Sequence, residues 1–276
     1  MQAMQPCPVR VTVLHPELNA IQQVVLRVSR NIGGVEREAI ALPCLRDIGL
    51  PVPQILAGPE CESDGESFAV LEFLPGFTLQ VLADSSEQGA FVAKQLLVDS
   101  IVRLFETTAA MSESPVVDQL PSCSLYGEWV RQKDASGHWG SVPRYSEVLR
   151  QLEPLCLQAS SMTPLVFSNG DYQPANFLTD GGTITGFLDF EKAGFEDPLW
   201  TLARYPVYDL EPFQSHGLAQ EVLNRLGFTA KQFAARVALF GLRTLRTKTS
   251  PDGTRNGVLQ NRVWELVESS LRQAEE

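Results

Sequence analysis

Between Val166 and Pro198 the chain reads VFSNGDYQPANFLTDGGTITGFLDFEKAGFEDP. Asp171, Asn176, Asp189 and Glu191 stand there beside apolar residues and a glycine-rich turn. Asp180-Gly181-Gly182-Thr183 supplies residues that accept positive φ, so NFLT and ITGFLDF should pair as a β-hairpin centred near Gly182. Asn176 and Asp189 lie about equally far from that centre on opposite strands, and cross-strand pairing brings them to one end. Asp171 sits five residues before Asn176, in a loop broken by Pro174, within reach of the same end.

A carboxylate, an amide oxygen and a second carboxylate form a hard-oxygen set. Mg²⁺ takes few protein oxygens and completes its octahedron with water and phosphate. Asn176 and Asp189 suit that role, and Asp171, off the metal, suits acceptance of a proton from a hydroxyl. The alternative is that all of them are surface turn residues, because Asp, Asn and Gly are the usual turn formers.

Other elements must hold this stretch. Alternation in VRVTVL (Val9–Leu14) and QVVLRV (Gln23–Val28) reads as two half-buried strands. GGVEREAIALPCLRDIGLPVP reads as a glycine turn and a helix from about Val35 to Ile48, stopped by Gly49 and Pro51, with Pro43 a kink or an early end. QILAG and SFAVLEFLPG read as further strands before a Pro75-Gly76 turn. Gln88–Met111 has helical spacing, with Phe91, Leu96, Leu97, Ile101, Leu104 and Phe105 as its apolar face. Helical candidates follow at Ser124–Arg131, Val142–Ser160, Thr229–Arg246 and Asn256–Gln273.

Composition excludes some classes. The 276 residues carry a net charge of −11, so a nucleic-acid partner is not expected, since phosphate backbones need a basic face. Five scattered cysteines without a C-x-x-C argue against a disulfide framework or a zinc site. No run approaches a membrane span and no signal peptide is evident, so the expected setting is cytoplasmic, without a membrane partner.

Several motifs in order resemble the aminoglycoside phosphotransferase/choline kinase superfamily, relatives of the protein kinases in fold. NGDYQPANFL is similar to its H-G-D-x-x-x-x-N catalytic loop, and LDFEKAGFEDP to its metal-binding D-x-[DE] segment. Upstream, VVLRV, EREAIALPCLRDIGLPVP and FAVLEFLPG resemble the third strand, the αC-type helix and the hinge of a nucleotide-binding lobe. The resemblance spans roughly Gln23 to Asp209. It implies an α+β, bilobal protein-kinase-like fold: a small β-rich lobe with one helix (1–76) and a larger, mainly α lobe (77–276) carrying the catalytic loop and substrate site. It implies an ATP- and Mg²⁺-dependent kinase that moves the γ-phosphoryl group to a hydroxyl of a small molecule. Asp171 is then the base, and Asn176 and Asp189 are the Mg²⁺ ligands. Arg27 and Glu38 are the strand cation and its helix partner, and Glu72, Phe73 and Leu74 are the hinge. Glu191 is a secondary metal or substrate residue, or else a solvated turn carboxylate.

The chain departs from that pattern at four places. Asn169 replaces the loop histidine, and an amide can donate and accept as histidine does. Arg27 replaces the strand lysine, with a different reach. No glycine precedes Gly33, and HPELNA offers only a short turn where a glycine-rich loop normally covers phosphate. Thr201 stands where many relatives have aspartate.

The acceptor stays open. Trp200, Tyr205, Tyr208, Asp209 and Glu211 could wall a site for an amine, making a cationic hydroxyl compound one option. The alternative for Trp200 and Tyr205 is helix-core packing, and GLRTLRTKTS reads as a solvated basic helix face. A rival to the enzyme is a catalytically weak nucleotide-binding scaffold on the same fold, motivated by Arg27 and the short N-terminus. Oligomeric state is not legible.

Overall fold

Alternating side chains give the first strands their partners. In the computed structural model, which describes residues 8–15, 20–31, 33–61 and 66–275, β1 (Val9–His15) pairs antiparallel with β2 (Ala20–Ser29), Val9 opposite Leu26. β3 (Ile55–Cys61) and β4 (Ser67–Glu72) complete a sheet of order β1-β2-β4-β3. The turn within HPELNA (16–19) and Cys7 lie outside the described residues.

α1 (Gly34–Asp47) runs through Pro43 without ending there. Pro43 is exposed, so the hydrogen bond its ring forfeits lies on the solvent side, while Leu42 and Leu45 stay in the core. Gly49, at φ +81°, ends the helix with its N–H on the Arg46 carbonyl.

β5 (Phe77–Thr78) leads into α2 (Leu79–Ser85) and α3 (Glu87–Glu106), whose first turns are capped by the hydroxyls of Thr78 and Ser86. Leu97, Ile101 and Leu104 of α3 are buried as their spacing predicts. Phe91 is not: it is 51% exposed, with the Lys94 ammonium 5.4 Å above its ring. α4 (Thr108–Ser112) follows, then β6 (Ser122–Cys123), α5 (Leu125–Asp134), α6 (Pro143–Met162), β7 (Val166–Ser168), β8 (Phe177–Thr179), β9 (Ile184–Phe187) and β10 (Gly194–Glu196). The chain continues with α7 (Arg204–Tyr208), α8 (Leu218–Leu226), α9 (Ala230–Lys248) and α10 (Gly257–Glu275). The class is α+β, with an antiparallel sheet in the N-terminal region. Among the described residues no helix is long and apolar enough to cross a membrane.

Packing divides the chain into two compact units, residues 1–121 with 167–194, and residues 122–166 with 195–276. The first holds the sheet, α1 to α4 and the β8–β9 hairpin. The second is built on α9 and α10. In it Trp139 packs against Tyr145 and Trp264, and the Trp129 indole donates to the Leu149 carbonyl at 2.7 Å. The basic run of α9 is not simply solvated. Arg246 donates to Gln132 at 3.1 Å, and Arg243 lies over the rings of Trp200 and Phe240.

Burial pushes the thiols of Cys156 and Cys123 up to about 12, with Glu128 adding to the effect at Cys123. At pH 8 the thiolate fraction of a group with that pKa is on the order of 10⁻⁴. Among the described free thiols, partly exposed Cys44 is therefore expected to take iodoacetamide first. Peptide mapping of briefly labelled native protein checks this, and equal labelling of Cys156 would contradict it.

Candidate active site

The hairpin forms as its residues require. β8 and β9 pair antiparallel, with Phe177 opposite Phe187 and their rings edge-on at 5.5 Å. The Asp180 carboxylate accepts from the N–H groups of Gly182 (2.9 Å) and Thr183 (2.8 Å), and Gly181 takes φ +105°. At the open end the Leu188 N–H donates to the Asn176 carbonyl at 2.8 Å, which seats Asn176 beside the Asp189 segment.

Side-chain amides hold the loop around Asp171. Asn169 accepts from the Asp171 N–H and donates to the Asp171 carbonyl, both at 3.2 Å. One amide thus braces the Asp171 backbone on both its N–H and its carbonyl. Asn176 donates its Nδ2 to the same carbonyl at 3.0 Å, leaving its Oδ1 as an acceptor. All this falls on the Asp171 backbone. The carboxylate is buried and accepts from Lys192 Nζ at 3.0 Å. Gly170 lets Lys192 close in: at φ +70°, a Cβ there would lie 2.6 Å from the Lys192 Cβ. Sequence reasoning missed Lys192. The available signal was its place three residues after Asp189, on the far side of a tight turn.

Arg27 joins the Asp189–Glu191 segment to the sheet and α1. Its Nε pairs with Glu38 at 2.8 Å, and its Nη2 donates to Asp189 (2.5 Å) and Glu191 (2.8 Å). Glu38 also accepts from the Phe190 N–H at 3.2 Å. Burial alone would lower the Arg27 pKa, but Glu38, Asp189 and Glu191 together hold it above its usual value. Burial pushes Glu38 up to about 7, with Arg27 pulling the other way.

Glu191 is buried, and both its oxygens are engaged. Oε1 accepts from Arg27, and Oε2 accepts from Asn31 Nδ2 at 2.5 Å. Arg37 donates to the Glu191 backbone carbonyl at 2.9 Å. Neither Asn31 nor Arg37 was singled out in the sequence. Asp189 sits at φ +60°, an uncommon conformation for a residue with a Cβ that costs on the order of 1–3 kcal/mol where it is held.

At the positions expected to form a hinge, Glu72 accepts from the Gln54 N–H (3.0 Å) and from Arg46 (2.8 Å). Phe73 lies under the Arg10 guanidinium at 5.6 Å, and Leu74 fills the space that a side chain at Gly186 would take. In the second unit, Tyr205 is fully buried against Phe213, and buried Trp200 packs on Phe240, so both take the core alternative. Tyr208 is half-buried against Phe240, with its hydroxyl 3.4 Å from Thr244. Asp209 is exposed, 3.7 Å from Arg262, and Glu211 bonds Ser215. Thr201, where aspartate is common, is buried.

Among the described residues no group of three or more His, Cys, Asp or Glu is gathered as a metal cage. Asp189 would offer one carboxylate, and Asn176 one amide oxygen, to a metal ion at the hairpin end. That hard, sparse set fits Mg²⁺, which draws its other ligands from water and phosphate.

The phosphotransferase enzyme family model matches residues 17–235. No curated protein sequence matches the chain significantly. Among solved structures it is similar to aminoglycoside phosphotransferase APH(4)-Ia, with a TM-score of 0.67, 17% identity, and coverage of 97% of this chain and 94% of that one. A thermostable mutant of that protein, in ternary complex with AMP-PNP and hygromycin B, aligns at a TM-score of 0.62 and 19% identity over 91% and 87% of the two chains. The GDP and kanamycin complex of APH(2")-IIia aligns at 0.58 and 21% identity over 91% and 88%. At these identities the likeness speaks to fold.

Proposed function

Because the chain belongs to the phosphotransferase enzyme family, we propose that it transfers the γ-phosphoryl group of a Mg²⁺-bound nucleotide, ATP in the first instance, to a hydroxyl of a small molecule. The observation that carries this reading is that, within one compact unit, Asn176 bonds the Asp171 carbonyl, Arg27 pairs with Asp189, and the Leu188 N–H on the Asn176 carbonyl joins the two segments. Residues 1–76 serve as the nucleotide lobe in this reading and residues 77–276 as the lobe that carries the catalytic loop.

Asp171 accepts the proton of the acceptor hydroxyl, its backbone fixed by Asn169 and Asn176. Lys192 supplies a cation at that carboxylate, where charge changes during transfer. Arg27, held by Glu38, keeps a second cation at the metal segment. Asp189 and Asn176 would hold Mg²⁺, which supplies positive charge to the phosphate oxygens. Phosphoryl transfer needs positioning and charge neutralisation more than covalent help, and these are the residue types present. The hinge backbone at Glu72, Phe73 and Leu74 is the proposed adenine contact. The acceptor is proposed to be a polyol or amino alcohol, with cationic compounds a first choice because similar folds are solved with hygromycin B and kanamycin. Half-buried Tyr208 and exposed Asp209 remain the candidates for acceptor contact, and the setting is proposed to be cytoplasmic.

Calorimetric titration with ATP tests the nucleotide half. Wild-type protein is expected to bind ATP with Mg²⁺ and far more weakly with EDTA. Asp189→Ala is expected to erase that metal dependence. Metal-dependent binding that survives Asp189→Ala would move the metal elsewhere, and no binding in wild type would count against the transferase and the nucleotide-binding scaffold alike.

A further inference from the structure

Glu191 stands two residues beyond Asp189, where a second metal carboxylate would be sought. Its surroundings assign it different work. Both oxygens are taken, one by Arg27 Nη2 and one by Asn31 Nδ2. Its carbonyl is taken by Arg37. Its Cβ packs where Gly34 has no side chain: a Cβ at Gly34 would approach it to 3.3 Å. Arg27 is on β2, Asn31 in the following turn, and Gly34 and Arg37 in the first turn of α1. One side chain therefore ties the metal segment to three successive pieces of the sheet-and-helix layer.

The choice of arginine at position 27 gives this tie its purpose. A lysine ammonium is a compact point charge, while a guanidinium is a wide planar fork. Here Nε faces Glu38, and Nη2 is shared between Asp189 at 2.5 Å and Glu191 at 2.8 Å. Without Glu191, Nη2 would have Asp189 as its one carboxylate there, and the arginine would swing onto the residue that must also serve the metal. With Glu191, three carboxylates surround one guanidinium, and the surplus negative charge remains at the segment.

We propose that Glu191 is a positioning residue rather than a metal ligand: it shares the Arg27 guanidinium with Asp189, and with Asn31 it locks the β2–α1 turn to the metal segment. This rests on the phosphotransferase reading for its purpose, though not for its geometry. Glu191 acts mainly through Arg27, so most of its effect on metal-nucleotide binding should be lost when Arg27 is gone.

The test is a double-mutant cycle of wild type, Arg27→Met, Glu191→Gln and the double variant. Each is measured for Mg·ATP affinity by calorimetry and for its urea midpoint without nucleotide. In the Arg27 background Glu191→Gln is expected to weaken Mg·ATP binding about 10-fold, and in the Arg27→Met background less than about 2-fold, with the same non-additivity in the urea midpoints. Equal losses in both backgrounds would overturn the proposal and make Glu191 a direct ligand. If wild-type protein binds no Mg·ATP, the phosphotransferase reading fails by itself. The urea cycle then still decides, because additive midpoints would overturn the Arg27–Glu191 coupling. Should the double variant not fold, Asn31→Ala serves instead. It should weaken binding when Glu191 is present and change nothing further in Glu191→Gln, whereas equal effects in both would overturn the lock.

Discussion

Asp171→Asn is expected to lower kcat by about 10²–10⁴-fold, the range lost with a positioned general base. Mg·ATP affinity should stay within about 2-fold, because the change removes a transition-state role and not a ground-state contact. The substitution is nearly isosteric. The bonds that shape the loop run from Asn169 and Asn176 to the Asp171 backbone, so they survive it. Lys192 keeps an oxygen to bond but loses the opposite charge. Steady-state rates and calorimetry on one preparation check both halves. Full turnover in Asp171→Asn would remove the base from the account.

The second large effect concerns stability and lies in the other unit. Arg236 and Asp197 form a bidentate pair at 2.6 and 3.0 Å, with both side chains no more than 3% exposed. Arg236 also donates to the Gln232 carbonyl at 2.6 Å, and Asp197 accepts from the Leu199 N–H at 3.0 Å. Arg236→Met leaves the Asp197 charge buried with its main counter-charge gone. The expected loss is about 3–5 kcal/mol, as for a broken buried ion pair. Adding Asp197→Asn should return part of it, since the remaining cost is mostly that of a stranded charge. Urea unfolding of the three proteins checks this. A loss below 1 kcal/mol for Arg236→Met would show that the pair is well hydrated in solution.

Local chemistry explains which parts of the fold were readable beforehand. The hairpin was legible because a four-residue turn of Asp, Gly, Gly and Thr carries its own conformational demand. Its two arms then place Asn176 and Asp189 by counting alone. Strand alternation and the glycine stop at Gly49 work in the same local way. The contact of Glu191 with Asn31 was not legible because the two lie 160 residues apart, and no periodicity reports such a contact. Lys192 and the Arg236–Asp197 pair escaped for the same reason. Trp200 and Tyr205 show a different limit: an aromatic side chain suits a core and a ligand wall equally, and only burial separates them. Phe91 failed as a core residue because a neighbouring lysine can cover an aromatic ring at the surface.

The most direct measurement is ³¹P NMR of the protein with Mg·ATP and a panel of amino alcohols, aminoglycosides and sugars, run in parallel with Asp171→Asn. The expected result is a new phosphate-monoester resonance with one class of acceptor, growing with ADP and absent or strongly slowed with Asp171→Asn. A monoester formed equally by both proteins would contradict the catalytic assignment. Metal-dependent ATP binding with no monoester from any hydroxyl compound would contradict the transferase itself and leave a nucleotide-binding scaffold.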